Sequence, residues 1–135
     1  MKREVVDPAG VFAHPGYAGV ITVTEPRKFH FIAGRCASDP DDYSCVAPGD
    51  YQAQNRQIMK TLDIELKAVG ATWADVVYRR IFTLDVDAYV AAHLPDREVS
   101  KYWEPGRPPP STLIGVTRLS DPEFLIEVDL LAVTG

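Results

Sequence analysis

The run Phe124-Leu125-Ile126-Glu127-Val128-Asp129-Leu130-Leu131-Ala132-Val133 sets two carboxylates inside an otherwise apolar strand. Successive side chains of a strand point to opposite faces, so Glu127 and Asp129 share one face while Ile126, Val128 and Leu130 share the other. An ionised carboxylate is costly to bury unless a partner meets it. The strand therefore belongs to a sheet with one face on a core and a second face that tolerates charge. That second face either lies in water or lines a pocket, and the strand by itself leaves both readings open.

The 135 residues, 46% of them hydrophobic, are enough for one domain with one core over 1–135 and too few for two ordinary domains. Residues 1–18 are rich in Pro and Gly. Val20 to Thr24 and residues 28–33 alternate as strands about the turn Glu25-Pro26-Arg27, which predicts an antiparallel hairpin. Gly34 ends it, and residues 38–49 read as a loop. Asp50 stands where a helix N-cap belongs; Ala53, Ile58, Leu62, Leu66 and Val69 mark an apolar stripe that stops at Gly70. Thr72 and Asp75 resemble a capping box. Residues 76–84 predict a strand, and 87–103 a second helix interrupted at Pro95. Residues 112–118 and 123–133 predict a second hairpin. The order β, β, α, β, α, β, β implies an α+β fold: a mainly antiparallel sheet with two helices on one face. Apolar groups occur on both sides of the 76–84 strand, which predicts burial of the second face in a homo-oligomer.

A formal net charge of -5 argues against a nucleic-acid partner, which would need clustered Lys and Arg. Arg79-Arg80 is an adjacent basic pair, but in a strand its side chains face opposite ways. No stretch has the length of a membrane span, and no apolar signal region follows Met1; the reading is a soluble, cytoplasmic protein without a membrane partner. Cys36 and Cys45 read as two reduced thiols, with a disulfide or a nucleophilic Cys36 as alternatives. His14, His30 and His93 form no ligand pattern, so neither a metal nor another cofactor is expected.

The strand end Phe31-Ile32-Ala33-Gly34, the helix from Asp50-Tyr51-Gln52-Ala53-Gln54 to Val69-Gly70-Ala71, the entry Asp75-Val76-Val77, the Pro-rich approach to Ser111, and Ile126-Glu127-Val128 together resemble the Rid (YjgF) family over nearly the whole chain. The resemblance implies a chorismate-mutase-like α+β fold, a homotrimer with ligand pockets at subunit interfaces, and hydrolysis of reactive enamines or imines to ketoacids and ammonia. It implies that Glu127 is the pocket glutamate that positions or activates water and that Tyr17 is the pocket tyrosine. Ala33 and Gly34 stand at the family's Ser-Gly strand end, and His93 at a position that is often Asn. Leu113 or Trp103 would give the pocket an apolar lining suited to a larger or less charged ligand than an amino-acid imine.

The departure is at Ser111, where the imine deaminases carry an arginine that grips the substrate carboxylate. A hydroxyl cannot replace a guanidinium fork, in which each charge-assisted hydrogen bond contributes about 1.5 to 3 kcal/mol. Arg35 and Arg107 are the substitutes that the sequence suggests, with Arg35 preferred. The expected activity is then hydrolysis of a small enamine, imine or related carbonyl compound whose substrate need not carry a carboxylate, with Glu127, Tyr17 and Ser111 as the catalytic set and Ala33, Gly34, Arg35, His93 and Leu113 binding substrate. Tautomerisation, isomerisation or cyclisation of a biosynthetic intermediate by the same glutamate is the alternative. A metabolite-binding trimer without activity is another.

Overall fold

The computed structural model describes residues 1–104 and 106–135. Six strands, β1 (Lys2–Val6), β2 (Val20–Thr24), β3 (Lys28–Arg35), β4 (Val76–Thr83), β5 (Ser111–Gly115) and β6 (Ile126–Thr134), alternate with helices α1 (Tyr51–Ala68), α2 (Val86–His93) and α3 (Arg97–Ser100). Helix α1 starts as its sequence dictates, with the Asp50 carboxylate accepting the Ala53 N–H at 3.0 Å. It stops at Gly70, whose φ of 73° is readily adopted by glycine. Pro95 separates α2 from α3, each capped by an aspartate, Asp85 and Asp96. The Thr72–Asp75 capping box is present.

Both predicted hairpins are replaced by longer-range pairings. β2 pairs with β1, a strand the Pro- and Gly-rich start did not suggest, and the main sheet runs β3-β6-β4-β5. Glu25 takes a φ of 55°, but Pro26 is confined to negative φ, so the two cannot make the type I′ turn that favours a tight hairpin. The chain instead swings to β6, where the Arg27 N–H donates to the Thr134 carbonyl at 3.0 Å. β5 lies parallel to β4, as the long crossover through α2 and α3 permits. β4 thus separates β5 from β6, antiparallel to the latter.

The sheet has two chemically distinct faces. Ile126, Val128 and Leu130 on β6 and Ile81 and Thr83 on β4 are buried beneath the helices, against Ile58, Met59, Leu62 and Leu66 of α1. An irregularity between Val76 and Tyr78 brings Val76 onto this same side. The opposite face carries Phe29, Phe31, Tyr78, Arg80, Glu127 and Asp129, and all six remain at least partly exposed. Phe31 remains 81% exposed there. Arg80 explains one of the two strand carboxylates, since its Nη2 meets Asp129 at 2.6 Å across the β4–β6 pair.

Candidate active site

On the uncovered face, the site is built by a strand irregularity. The β3–β6 register shifts between Ile32 and Arg35, so Ala33 and Gly34 bulge beside Glu127. Gly34 leaves the room the glutamate occupies: a Cβ at this position would lie 2.5 Å from Glu127 Oε2 and 2.9 Å from its Cδ. The other carboxylate oxygen, Oε1, accepts a hydrogen bond from the buried thiol of Cys36 at 3.4 Å. Burial, followed by the Glu127 charge, pushes the Cys36 thiol up to about 12. The thiol therefore stays protonated at neutral pH and donates to the carboxylate, which argues against a Cys36 nucleophile. Both cysteines are free, and no disulfide links them.

The entry to β6 is fixed from α1. Gln54, fully buried, accepts the Leu125 N–H through Oε1 at 2.9 Å, and its amide donates to the Glu123 and Ala47 carbonyls at 3.0 and 3.2 Å. This clamp sets the register two residues before Glu127. Sequence reading had placed Gln54 only within the helix start.

On the helix side, at the β5 edge, a cavity of about 330 Å³ is lined by Tyr17, Arg79, Tyr89, His93, Ser111 and Leu113, among others. Arg79 and Ser111 face each other in the parallel β4–β5 register. Arg79 Nε donates to Ser111 Oγ at 2.9 Å, and the hydroxyl donates in turn to the Pro109 carbonyl at 2.8 Å. Tyr17 stacks on His14 with ring centroids 4.6 Å apart. His93 stacks on Tyr89 and accepts the Asn55 amide at Nδ1, 3.0 Å away, which leaves Nε2 as the N–H of a neutral ring.

Burial and then the nearby Arg79 charge lower the pKa of His93 from its ordinary 6.5 to about 4. A depressed histidine stabilises the fold above its unfolded pKa and loses that contribution as pH falls. Between about pH 6.5 and 4 the unfolded chain takes up a proton that the cavity refuses, a slope of about 1.4 kcal/mol per pH unit. Asp7, Asp42, Asp63 and Asp96, all held below 3.8 in the fold, act at lower pH. Urea unfolding of His93→Gln is expected to show a shallower loss of stability from pH 6.5 to 4.5 than the native chain; equal slopes would contradict the assignment.

Neither arginine nominated from the sequence is free. The β3 irregularity turns Arg35 toward the helices, where it forks onto Glu65 at 2.8 and 2.9 Å. Arg107 forks onto Asp7 at 2.7 and 3.1 Å and also donates to the Tyr17 and His14 carbonyls, pinning the N-terminal segment against the Pro run. The guanidinium that reaches the cavity is that of Arg79, which the sequence analysis noted only as half of a basic pair. Its signal was parity: it precedes Ile81 and Thr83 on the inward side of β4. Among the described residues no group of three or more His, Cys, Asp or Glu side chains is placed to hold a metal ion.

The candidate residues thus fall into two sets on opposite faces of one sheet. Glu127, Ala33 and Gly34 lie on the uncovered face, and Tyr17, His93, Ser111 and Leu113 border the helix-side cavity. A single chain does not bring them together.

Residues 13–134 match the family model Endoribonuclease L-PSP. The chain is 28% identical over 105 residues to the RutC family protein slr0709 of Synechocystis, a match that spans 78% of each chain. It resembles the solved structure of YyfB, a conserved Rid-family protein of Yersinia pestis, with a TM-score of 0.84 and 29% identity over 98% of this chain and 99% of that one. YyfA, of the same organism and family, shares the fold with a TM-score of 0.69 at 20% identity over 98% of this chain and 100% of that one. With all but its first twelve residues and its last matched by the family model, and with an α+β fold common to the Rid-family structures, this chain belongs to the Endoribonuclease L-PSP family, the Rid (YjgF) proteins.

Proposed function

We propose that this protein hydrolyses a small enamine or imine to the corresponding carbonyl compound and ammonia, in a pocket that two copies of the chain complete at the interfaces of a homotrimer. The observation that carries the reading is the pairing of an oriented carboxylate with an incomplete setting: Glu127, hydrogen-bonded by Cys36 and given room by Gly34, lies on the exposed sheet face, and the donor-lined cavity lies on the other face. Apposing the uncovered face of one copy with the β5 edge of the next would bury Phe31 and place both sets around one ligand.

In the reaction, an enamine first takes up a proton at carbon to become the protonated imine; water adds to the C=N carbon as Glu127 accepts one of its protons, giving a neutral carbinolamine. Return of that proton to nitrogen makes ammonia the leaving group, and Glu127 accepts the hydroxyl proton as the C–N bond breaks and the carbonyl forms; that proton leaves with ammonia as ammonium. Hydrogen bonds from Tyr17 and Ser111 would orient water or substrate.

Ribonuclease activity, which the family description names, finds less support. Arg35, Arg56, Arg80 and Arg107 are each paired with a carboxylate, and the formal net charge is -5, so little free positive charge remains to follow a phosphate backbone. The test is ammonia release from imines generated in place by an amino-acid oxidase. Acceleration by the purified protein supports the proposal; no acceleration with imines of any small apolar amino acid, alongside cleavage of RNA, would overturn it.

A further inference from the structure

Tyr17 borders the cavity, yet nothing holds the end of its side chain. Among the described residues its hydroxyl meets no hydrogen-bond partner, and 38% of its surface is exposed. It belongs to the segment 7–19 between β1 and β2, which forms neither helix nor strand. A side chain on such a segment is placed only as well as the segment itself.

That segment closes on one guanidinium. Arg107 forks onto Asp7 near its start, and Asp7 Oδ1 also accepts the Gly19 N–H at 2.9 Å from its end. The same Arg107 Nη2 donates to the carbonyls of His14 and Tyr17, at 3.2 and 2.6 Å, on the side that faces the cavity. Next to it, the Ala18 N–H donates to the Pro108 carbonyl at 2.9 Å. Arg107 thus fixes the Tyr17 backbone directly.

The ring is held separately. His14 lies against it with centroids 4.6 Å apart and planes only 5° from parallel. The tilt of His14 is set in turn by the Gly16 N–H, which donates to Nδ1 at 2.8 Å. A Cβ at Gly16 would lie 2.9 Å from His14 Cε1, so glycine leaves the imidazole its place. Backbone and ring of one tyrosine are therefore each fixed by a different residue.

We propose that Arg107 and His14 are positioning residues that aim the Tyr17 hydroxyl at the ligand, the first through the Tyr17 carbonyl and the second through its ring. This inference rests on the hydrolytic reading above and adds two residues whose effect passes through Tyr17. A clasp that served only to anchor the chain would show itself in stability. The Asp7–Arg107 pair is partly exposed, and such pairs contribute little there.

The test is a double-mutant cycle on the intact oligomer, pairing Arg107→Met with Tyr17→Phe. Two readouts are taken: kcat/KM for ammonia release from the imine of 2-aminobutyrate, and calorimetric titration of 2-oxobutyrate, the carbonyl product of that assay. Each single variant is expected to weaken 2-oxobutyrate binding about threefold to tenfold, the contribution of one neutral hydrogen bond, and to lower kcat/KM at least as much. The double variant is expected to be no weaker than Tyr17→Phe alone, with little change in melting temperature. Arg107→Lys, which keeps a charge for Asp7 but loses the fork, carries the same prediction and decides the matter if Arg107→Met fails to fold. His14→Phe, which keeps a flat ring against Tyr17, is expected to retain more of the rate than His14→Leu.

Losses that multiply in the double variant, or a native rate in either single one, would overturn the proposal, and equal rates for the two His14 variants would remove His14 from it. Ammonia release with multiplying losses would leave the hydrolytic reading standing without it. Non-additive binding losses without ammonia release would leave the positioning role and remove hydrolysis. A native protein that neither turns over the imine nor binds 2-oxobutyrate would overturn both.

Discussion

Replacing Glu127 by Gln is expected to lower kcat for imine hydrolysis by about 10²–10⁴, a barrier increase of about 3 to 5 kcal/mol, while leaving the fold and binding of 2-oxobutyrate intact. Gln keeps the shape of the side chain and a carbonyl oxygen that can accept the Cys36 thiol hydrogen. What it loses is the capacity to take a proton from water. The glutamate sits at a strand position open to the uncovered face, between buried Ile126 and Val128, so the exchange disturbs no core packing. Steady-state kinetics with circular dichroism on the same samples would check it. A rate within threefold of the native value would remove Glu127 from the chemistry, and loss of the fold would show that the carboxylate serves the structure instead.

Gly34→Ala should produce nearly as large a loss by displacement alone. The added methyl would fall 2.5 Å from Glu127 Oε2, well inside contact distance, so one of the two groups must move. The glutamate side chain is the softer partner, because rotation about its χ angles is cheaper than shifting two paired strands. The expected result is a fall in kcat of about 10²-fold with a stability change under about 1 kcal/mol, since misplacement of a reacting group by about 1 Å already has that effect on rate. The readout is the split between kcat and the melting temperature. A parallel loss of both would mean that the bulge itself collapses, and unchanged kinetics would mean that the glutamate position is not critical.

Local features of the sequence read through to the structure where one or two residues decide the outcome. Asp50 and Gly70 bounded α1, Pro95 broke the second helical segment, and the parity of Glu127 and Asp129 placed both on one face. Strand partners were not legible in the same way. Val20 to Thr24 and the strand after Lys28 are neighbours in sequence, yet each finds a distant partner because pairing is decided by the ladder and the buried face that the whole sheet offers. The cavity arginine was missed for a related reason. Strict alternation along β3 does not reveal the bulge that turns Arg35 toward Glu65, and a charged residue on β4 ordinarily signals the wet face. Arg79 breaks that rule, with its side chain buried beside Ser111.

In the proposed homotrimer the active site is shared, with Glu127 from the uncovered face of one copy and the cavity at the β5 edge from another. Co-expression tests it directly, using Glu127→Gln and a second variant, Leu113→Trp, in which an indole fills the cavity. In random trimers of two inactive variants, about one quarter of the interfaces combine an intact glutamate with an intact cavity. Ammonia release near one quarter of the native rate is the predicted result. Mixed trimers as inactive as either parent would contradict it, because they would place both sets of residues in a site that each chain builds alone.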